Sequence, residues 1–426
     1  MPPSVVTFGC RTNTFESEVM RQHAVAAGLS DSTVIINTCA VTGEAERQAR
    51  QTIRRLKRER PGVRILVTGC AAQLNPERFA AMPEVERVLG NAEKLKSESW
   101  RRGDLPSHST DPAPEDPATI PLLTGPLLTG FAERTRAFLP VQQGCDHRCT
   151  FCIIPLARGK SRSLAPAHVV AQARALTAAG YRELVLTGID LTAYGLDLAP
   201  EEQPGQYDAQ LGGLVERVLA EVPGLERLRL SSLDPVEIDA GLLAVFGADR
   251  RVMPHIHLSV QAGDDLILKR MKRRHTRADV VRLAERLRAL RPEMTLGADL
   301  IAGFPTENEA LFANTLRLVE ECGLTHVHVF PFSARPDTPA ARMPAVPGAV
   351  VRERAALLRT AAAGVRTRFL ETRIGTGADV LVERSGFGHS EDYLPVQMPS
   401  AAVPGFVTRV RLVAADATGL YGDIMP

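Results

Sequence analysis

The stretch with the clearest chemical potential runs from residue 144 to residue 155 and reads GCDHRCTFCIIP. It holds Cys145, Cys149 and Cys152, so three thiols lie within eight positions. A loop this short can place three thiolates around one metal centre, and four-iron clusters take their ligands from such cysteine runs. Most of these clusters have a fourth cysteine, but the neighbouring ones, Cys70 and Cys322, are distant in sequence. The motif therefore predicts a four-iron cluster with one iron open to a small ligand.

Two other interpretations of this loop stay open at this point. One is a zinc site that uses His147 beside the thiols, although zinc is more often held by CxxC pairs. The other is a set of three buried thiols without a ligand, which is uncommon for so tight a group.

Three further cysteines, Cys10, Cys39 and Cys70, recur about 30 residues apart near the N-terminus. Each comes at the end of an apolar run typical of a β-strand, and helical patterns separate these runs. The predicted elements are strand 4–9, helix 14–27, strand 33–37, helix 44–60 and strand 63–68. This alternation predicts a parallel sheet, whose carboxyl edge is where ligands bind. We expect a second metal site with three thiolates there; the alternative is three unrelated cysteines at strand ends.

Length and composition limit the classes of protein. A chain of 426 residues predicts two or three domains, and 44% hydrophobic residues can form ordinary cores. A net charge of only +2 excludes a global field for nucleic acid, so any such surface must be local. Neither a signal peptide nor an apolar run of about 18–20 residues is visible. We expect a cytosolic protein without a membrane span, where reduced thiols favour metal binding. Cys322, inside a helical pattern, is expected in a core.

The middle of the chain predicts a partial barrel. Residues 101–130 contain six prolines and little periodicity, and we interpret them as a linker. Strand and helix patterns then alternate in six units, fewer than the eight of a full barrel. The predicted strands are 137–142, 183–187, 226–230, 255–260, 295–301 and 326–330. The predicted helices are 166–179, 209–221, 236–246, 264–290 and 308–322. The cysteine loop follows the first strand, at the barrel mouth where active sites form.

Polar residues follow several of these strands. Examples are Thr187-Gly188-Ile189-Asp190, the Ser231-Ser232 pair and Gln261. A mouth lined in this way suits a polar ligand, although glycine and serine also form ordinary turns.

The Cx3Cx2C loop in this position resembles the radical S-adenosylmethionine (SAM) enzymes. The resemblance implies that the open iron of the cluster held by Cys145, Cys149 and Cys152 chelates SAM. It places Phe151 near the adenine and the Gly188–Asp190 turn near the methionine amino group. Ser231 and Gln261 are further candidate SAM contacts. The family's glycine-glycine-glutamate pattern reads Thr187-Gly188-Ile189-Asp190 in this chain.

Several longer motifs resemble the methylthiotransferases within that superfamily. They are FGCRTN (8–13), INTCAVT (36–42), GCAAQ (69–73), HLSVQAGDDLILKRMKRRHT (257–276) and GADLIAGFPTENE (297–309). The resemblance covers essentially the whole chain and implies a second four-iron cluster on Cys10, Cys39 and Cys70, where sulfur is transferred to carbon. One SAM would supply the methyl group and a second would yield the radical that activates a C–H bond.

The resemblance also implies a substrate and partners. INTCAVT followed by EAERQAR resembles the branch that modifies threonylcarbamoyladenosine beside the anticodon of tRNA. Isopentenyladenosine in tRNA and a ribosomal protein aspartate are the alternative substrates. An electron donor such as a flavodoxin or ferredoxin is implied as well. A non-catalytic iron–sulfur or zinc protein that binds RNA is the alternative from another class.

Local charge suggests where RNA would bind. Residues 269–277 are basic without an acid, and we predict RNA contacts at Arg270, Lys272, Arg273 and Arg274. The helix after Cys39 carries seven basic residues against three acids, which predicts a phosphate-binding stripe or an ordinary solvated face.

The last segment alternates apolar and polar residues, predicts a small β-barrel and resembles the RNA-binding TRAM domain. From Glu371 onward it has four arginines and seven acids, hence a net charge of −3, which is poor for a general RNA clamp. Two alternatives stay open: the segment contacts RNA through a small patch, or it serves mainly as a structural lid.

The expected architecture is α/β. It comprises a methylthiotransferase cluster-binding domain at 1–100, a linker at 101–130, a radical SAM partial (β/α)6 barrel at 131–370 and a TRAM-like β domain at 371–426.

Overall fold

The structure is a computed structural model that describes residues 2–101, 128, 130–131, 134–199 and 209–425. Almost all of the linker predicted at 101–130 lies outside the described residues. Within them, no helix is long and apolar enough to cross a membrane.

The N-terminal part is a parallel sheet with helices packed against it. Its strands lie in chain order as β1 (Ser4–Thr7), β2 (Thr33–Thr38), β3 (Arg64–Gly69) and β4 (Arg87–Val88). All six residues of β2 are buried, as expected for a strand covered on both faces. The helices are α1 (Arg11–Ala26), α2 (Gly43–Glu59), α3 (Cys70–Leu74) and α4 (Pro76–Ala80). The three predicted strands are present, and β4, only two residues long, had no readable pattern.

The central part begins with a parallel sheet of three strands. They are β5 (Arg136–Pro140), β8 (Glu183–Thr187) and β9 (Arg227–Leu230), in that order. Between the first two, β6 (Gln142–Gln143) pairs antiparallel with β7 (Arg162–Ser163) around the cysteine loop.

A second parallel sheet continues the first. It consists of β10 (His255–Gln261), β11 (Thr295–Ala302) and β12 (Leu324–Pro331). Two isolated bridges, Leu228–Val252 and Leu233–Leu258, join the sheets. All six predicted strands are therefore confirmed and follow one another in chain order.

Most helices of this part cover the outer face of the strands. The helices are α5 (Ile154–Arg158), α6 (Pro166–Ala178), α7 (Leu211–Glu221), α8 (Ala240–Ala248), α9 (Asp265–Arg270), α10 (Arg277–Leu290), α11 (Glu309–Glu321) and α12 (Gly348–Arg373). One prediction is wrong here, because the continuous helix 264–290 is two helices. Lys272 has a φ of 57°, which breaks the first helix, and Thr276 starts the second with a capping box to Asp279. The break places the basic residues 272–274 in a loop.

The C-terminal segment forms a closed five-stranded barrel, as the β pattern predicted. Its strands are β13 (Gly377–Arg384), β14 (Phe387–His389), β15 (Pro395–Gln397), β16 (Val407–Ala415) and β17 (Leu420–Ile424). Apolar residues from all five strands or their flanks form its core. Cys322 is 1% exposed and lies in the core of the central part, as expected.

The C-terminal barrel packs against the amino ends of the central strands. Arg227 at the start of β9 donates to the carbonyl of Ser390 at 2.9 Å. Thr295 at the start of β11 donates to the carbonyl of Asp392 at 2.8 Å. Because these contacts lie at the amino ends, the opposite end of the central strands is left for the cysteine loop.

Candidate active site

The cysteine loop is held in place by backbone contacts. Gly144 has a φ of 70°, and a Cβ there would lie 1.8 Å from the carbonyl oxygen of Lys160, so only glycine fits. The amide of Cys145 donates to the carbonyl of Gly159 at 3.1 Å. The amide of Thr150 donates to the carbonyl of Met271 at 3.1 Å, which anchors the middle of the loop to the end of α9. The loop is therefore shaped before any ligand binds.

A cavity of about 160 Å³ opens beside this loop at the carboxyl end of the strands. The three thiols of the loop line it, together with residues from the ends of β8, β9 and β10. Its lining comprises Cys145, His147, Cys149, Phe151, Cys152, Ile154, Ile189, Asp190, Ser232, Asp234, Ser259, Gln261 and Arg273. The fold thus brings three of the candidate SAM contacts, Phe151, Asp190 and Gln261, to one cavity with the thiols.

The other two candidate contacts lie elsewhere. Ser231 is 7% exposed, and its hydroxyl faces the amide of Gly188 at 3.4 Å, away from the cavity, which Ser232 lines instead. Gly188 packs against Gln142, since a Cβ on it would lie 2.9 Å from the Gln142 side-chain oxygen. Gln142 accepts the amide of Asp190 at 2.8 Å and so shapes this turn. Adjacent side chains point in different directions, and the sequence does not show which of the two serines after β9 points into the cavity.

Ion pairs surround the cavity. His147 Nε2 lies 2.9 Å from Asp190 Oδ2 and 3.5 Å from Glu237 Oε2. These hydrogen bonds to Asp190 and Glu237 raise the pKa of His147 to about 10. His147 is therefore held between two carboxylates at the edge of the cavity. Asp234, 5% exposed, pairs with Arg273 at 2.8 Å and was not among the predicted site residues.

The thiols suit a metal centre by their donor chemistry. Burial, with the nearby Asp190 carboxylate, raises the pKa of Cys145, and burial raises the pKa of Cys152 to about 11. Thiols in such surroundings stay protonated unless a cation replaces the proton. Arg273 Nη1 lies 3.5 Å from the sulfur of Cys149 and is one positive charge at the site. Three sulfur donors on one cavity fit an iron–sulfur cluster.

The N-terminal thiols come together at the carboxyl edge of the N-terminal sheet. Cys10 precedes α1, Cys39 follows β2, and Cys70 begins α3 directly after β3. Gly9, with a φ of 93°, lies under Cys39, because a Cβ there would be 2.6 Å from its sulfur. Burial raises the pKa of Cys39 to about 12, and the Cys70 and Cys10 thiols raise it further. Cys10 is exposed while the other two are buried, so this group has one open side.

One arginine beside the cysteine loop contacts the N-terminal group of thiols, and sequence reasoning missed it. Arg158 ends α5, directly after the cysteine loop, and is 1% exposed. Its Nε donates to the sulfur of Cys70 at 3.2 Å, and its Nη1 donates to Glu16 at 2.8 Å. Lys94 also donates to Glu16, at 2.7 Å. A buried arginine beside a thiol group offers a fixed positive charge to bound sulfur, and only its closeness in sequence to the motif could have suggested it.

The predicted RNA contacts occupy different positions. Lys272 and Arg274 are exposed, and Arg274 pairs with Asp234 at 3.3 Å and also with Glu237. Arg270 donates to the Thr306 hydroxyl at 2.7 Å. Arg273 lies in the cavity with a side chain 7% exposed, so its contacts are to the site. RNA binding by the other three stays a prediction.

Comparison with known families gives two matches. Residues 139–319 match the family described as the radical SAM superfamily. Residues 4–90 match the uncharacterized protein family UPF0004. The two matches together include all six cysteines of the candidate site.

Similar proteins span nearly the whole chain. One is the threonylcarbamoyladenosine tRNA methylthiotransferase MtaB of Rickettsia prowazekii, 45% identical over 97% of this chain and 95% of the relative. Another is the tRNA-2-methylthio-N(6)-dimethylallyladenosine synthase of Novosphingobium aromaticivorans, 35% identical over 99% of this chain and 96% of the relative. A solved structure of similar fold is the radical SAM methyltransferase TsrM from Kitasatospora setae with cobalamin and a [4Fe-4S] cluster. It has a TM-score of 0.52 and 16% identity, with coverage of 82% and 83% of the two chains.

Proposed function

We propose that this chain, which belongs to the radical SAM methylthiotransferase family, adds a methylthio group to carbon 2 of threonylcarbamoyladenosine in tRNA. The observation that carries the proposal is the presence of two separate groups of three thiols in a chain 45% identical to a relative with that named activity. One thiol group alone would suit radical SAM chemistry without sulfur insertion.

Each thiol group would hold one [4Fe-4S] cluster. Cys145, Cys149 and Cys152 would hold the first, with SAM on its open iron. Cys10, Cys39 and Cys70 would hold the second. Together with SAM these groups supply the radical and the methylthio group for a C–H bond that acid–base catalysis cannot open.

The side chains of the chain itself would bind and orient SAM, and they would shield the site from water. Phe151 at the cavity offers an apolar ring for the adenine of SAM, and Asp190 offers a carboxylate for its amino group. Arg158 holds a positive charge beside Cys70, which favours anionic sulfur there. The C-terminal barrel covers the amino ends of the strands and so limits the entry of water.

RNA would reach the site over the outward face of α2. Three exposed arginines line a groove of about 700 Å³ with Phe8, two residues from Cys10: Arg54, Arg55 and Arg58. In the described part of the chain none of the three has an ion-pair partner. Partial burial and the positive charges of Arg78 and Arg54 lower the pKa of Arg50 beside them. One acid, Glu84, also lines the groove, so the three arginines leave an excess of positive charge there. Such an excess is the electrostatic pattern of a phosphate-binding surface.

Two observations favour threonylcarbamoyladenosine over isopentenyladenosine as the substrate. The relative that acts on the former is 45% identical, whereas the one named for dimethylallyladenosine is 35% identical. The INTCAVT–EAERQAR stretch agrees with the same branch. A ribosomal protein aspartate stays the third candidate, and an electron donor such as a flavodoxin or ferredoxin is required in each case.

The test is mass spectrometry of tRNA nucleosides from a deletion strain. We expect loss of methylthio-threonylcarbamoyladenosine and its return with the wild-type gene. Unchanged levels of that nucleoside would remove the substrate proposal, and loss of methylthio-isopentenyladenosine instead would establish the alternative.

A second test separates the roles of the two thiol groups. Anaerobic reconstitution should give about eight irons per chain, as two four-iron clusters require. Alanine at Cys145, Cys149 and Cys152 should abolish SAM cleavage. Alanine at the N-terminal thiols should leave cleavage intact but stop methylthio transfer. Zinc without iron, or loss of cleavage in both variants, would contradict this division.

A further inference from the structure

Two histidines and an aspartate form a polar group inside the central barrel, apart from the cysteines. His257 Nε2 lies 2.9 Å from Asp299 Oδ1, and His328 Nδ1 lies 3.1 Å from the same oxygen. The two imidazole rings are 4.7 Å apart. The Asp299 carboxylate thus accepts hydrogen bonds from both rings and fixes how each one is turned.

These three side chains face the inside of the barrel. Their neighbours along each strand lie in the outer hydrophobic core beneath the helices. Those neighbours are Leu258 on β10, Ala298 and Leu300 on β11, and Val327 and Val329 on β12. Since side chains alternate along a strand, the three polar residues must point inward. His257 also shares its face with Ser259, two residues onward, which lines the cysteine cavity. The histidine group is therefore one layer below that cavity.

The packing of this layer is specific. A Cβ on Gly297 would lie 2.4 Å from His257 Nδ1, so the glycine makes room for that ring between β10 and β11. His257 is 8% exposed, whereas His328 is 64% exposed. One ring is thus buried as a support, and the other presents its free Nε2 to the open space of the barrel.

The next layer down carries positive charge. Tyr393 of the C-terminal barrel stacks on His255, with ring centroids 5.1 Å apart. Arg136 and Arg229 each lie 5.0 Å from the Tyr393 ring. Arg11, next to Cys10 in sequence, lies near enough to Tyr393 for an electrostatic interaction with it.

Arg11 differs from the other arginines of this layer. Arg227 and Arg229 pair with Glu183 at 2.7 and 2.9 Å, and Arg136 pairs with Glu383. Arg11 has no carboxylate partner within the described ranges of the chain. The layer below the histidine group therefore contains one guanidinium, that of Arg11, without a paired acid. Its positive charge would attract an anion into the barrel.

We propose that the layer of His257, Asp299 and His328 is the subsite for the carboxylate-bearing substituent on the substrate's adenine, and that His328 Nε2 donates a hydrogen bond to that carboxylate. The assignment rests on the proposed function, because threonylcarbamoyladenosine carries such a carboxylate and isopentenyladenosine does not. Asp299 accepts a hydrogen bond from His328 Nδ1 and so aims Nε2 into the space of the barrel. An imidazole with a proton on both nitrogens donates to Asp299 and to the substrate carboxylate at once. His328 would then be a residue that selects this substrate over an apolar one.

The test uses anticodon stem-loops that differ only at the modified adenosine. One carries threonylcarbamoyladenosine, a second carries its uncharged primary amide, and a third carries isopentenyladenosine. Dissociation constants are measured by fluorescence anisotropy with the cluster-loaded enzyme, and kcat/KM for methylthio transfer is measured in parallel. A charge-assisted hydrogen bond predicts that the wild type prefers the acid over the amide by about 10- to 100-fold.

The variants tie this preference to His328. In His328→Ala we expect the acid-to-amide ratio to fall towards one, mainly because the acid binds less well. His328→Gln, which retains a donor, should restore part of the ratio, and Asp299→Asn should lower it through loss of orientation. His168→Ala, an exposed histidine on α6, is the matched control and should keep the wild-type ratio. Melting temperatures and iron content show that each variant is folded and loaded.

The outcomes separate this inference from the proposed function. If the wild type methylthiolates the acid and the amide equally well, or His328→Ala keeps the wild-type ratio, the subsite is wrong while the substrate stands. If the wild type acts only on the isopentenyladenosine stem-loop, the substrate proposal fails and the subsite fails with it. A ratio that collapses in His328→Ala but not in His168→Ala supports both.

Discussion

Replacing Arg158 by methionine should destabilise the junction between the N-terminal sheet and the cysteine loop. The side chains of Arg158 and Glu16 are 1% and 0% exposed, and Lys94 on the same carboxylate is also 0% exposed. Burial raises the pKa of Glu16, but the positive charges of Arg158 and Lys94 lower it to about 2. Without Arg158, Glu16 keeps only Lys94 as a cation, and the buried oxygens Glu16 Oε1 and Asn13 Oδ1 lose the donors that Arg158 supplies. Breaking a buried charged pair in this way costs about 3–5 kcal/mol.

The assay is thermal unfolding of the cluster-loaded protein, with Arg250→Met as the matched control. Arg250 pairs with Glu293 at 2.6 Å but its side chain is 78% exposed, so its loss should cost less than about 1 kcal/mol. For a chain of 426 residues the shift is about 1 °C per kcal/mol, so Arg158→Met should lower the melting temperature by about 3–5 °C. Equal shifts in the two variants would refute the reasoning.

A triple variant tests whether charge, and not lost packing, is the cause. Arg158→Met with Glu16→Leu and Lys94→Met removes all three charges together. Replacing a whole buried ionic group by apolar side chains is often neutral or stabilising. We therefore expect the triple variant to recover most of the lost melting temperature. If it is less stable than Arg158→Met alone, the electrostatic explanation is wrong.

Three further predictions concern acid stability, the histidine layer and RNA. Burial raises the pKa of Glu183 above its ordinary value of 4.5. The opposing positive charges are stronger and lower this pKa to about 2; they come from Arg229, Arg227 and Arg136. The ionised Glu183 carboxylate stabilises the fold fully above about pH 4.5, and this stabilisation is lost as the pH falls towards 2. In Glu183→Gln the melting temperature should therefore depend less on pH between these values than in the wild type. Gly297→Ala should cost about 1–3 kcal/mol through its clash with His257, and calorimetry that finds no loss would contradict the layer geometry. Neutralising the three arginines of the α2 groove should reduce the slope of log affinity for tRNA against log salt by about 0.7–0.9 for each lost phosphate contact, and an unchanged slope would exclude that surface.

The sequence alone determined the fold class and the two groups of thiols. Strand patterns of period two and helical patterns are local, and cysteines directly after strands must meet at one edge of a parallel sheet. All six central strands and the closed C-terminal barrel were predictable on that basis. The helix 264–290 was misjudged because its interruption depends on a positive φ at Lys272, which residue type does not predict.

Only the tertiary structure decided which polar side chains work together. Arg158 contacts Cys70, 88 positions away, and His328 contacts Asp299 from a neighbouring strand. Such pairs depend on strand register and on which side chain faces inward, so Ser232 and not Ser231 lines the cavity. Local sequence sets the chemistry each residue can perform, but the packing of distant elements sets its partner and its charge.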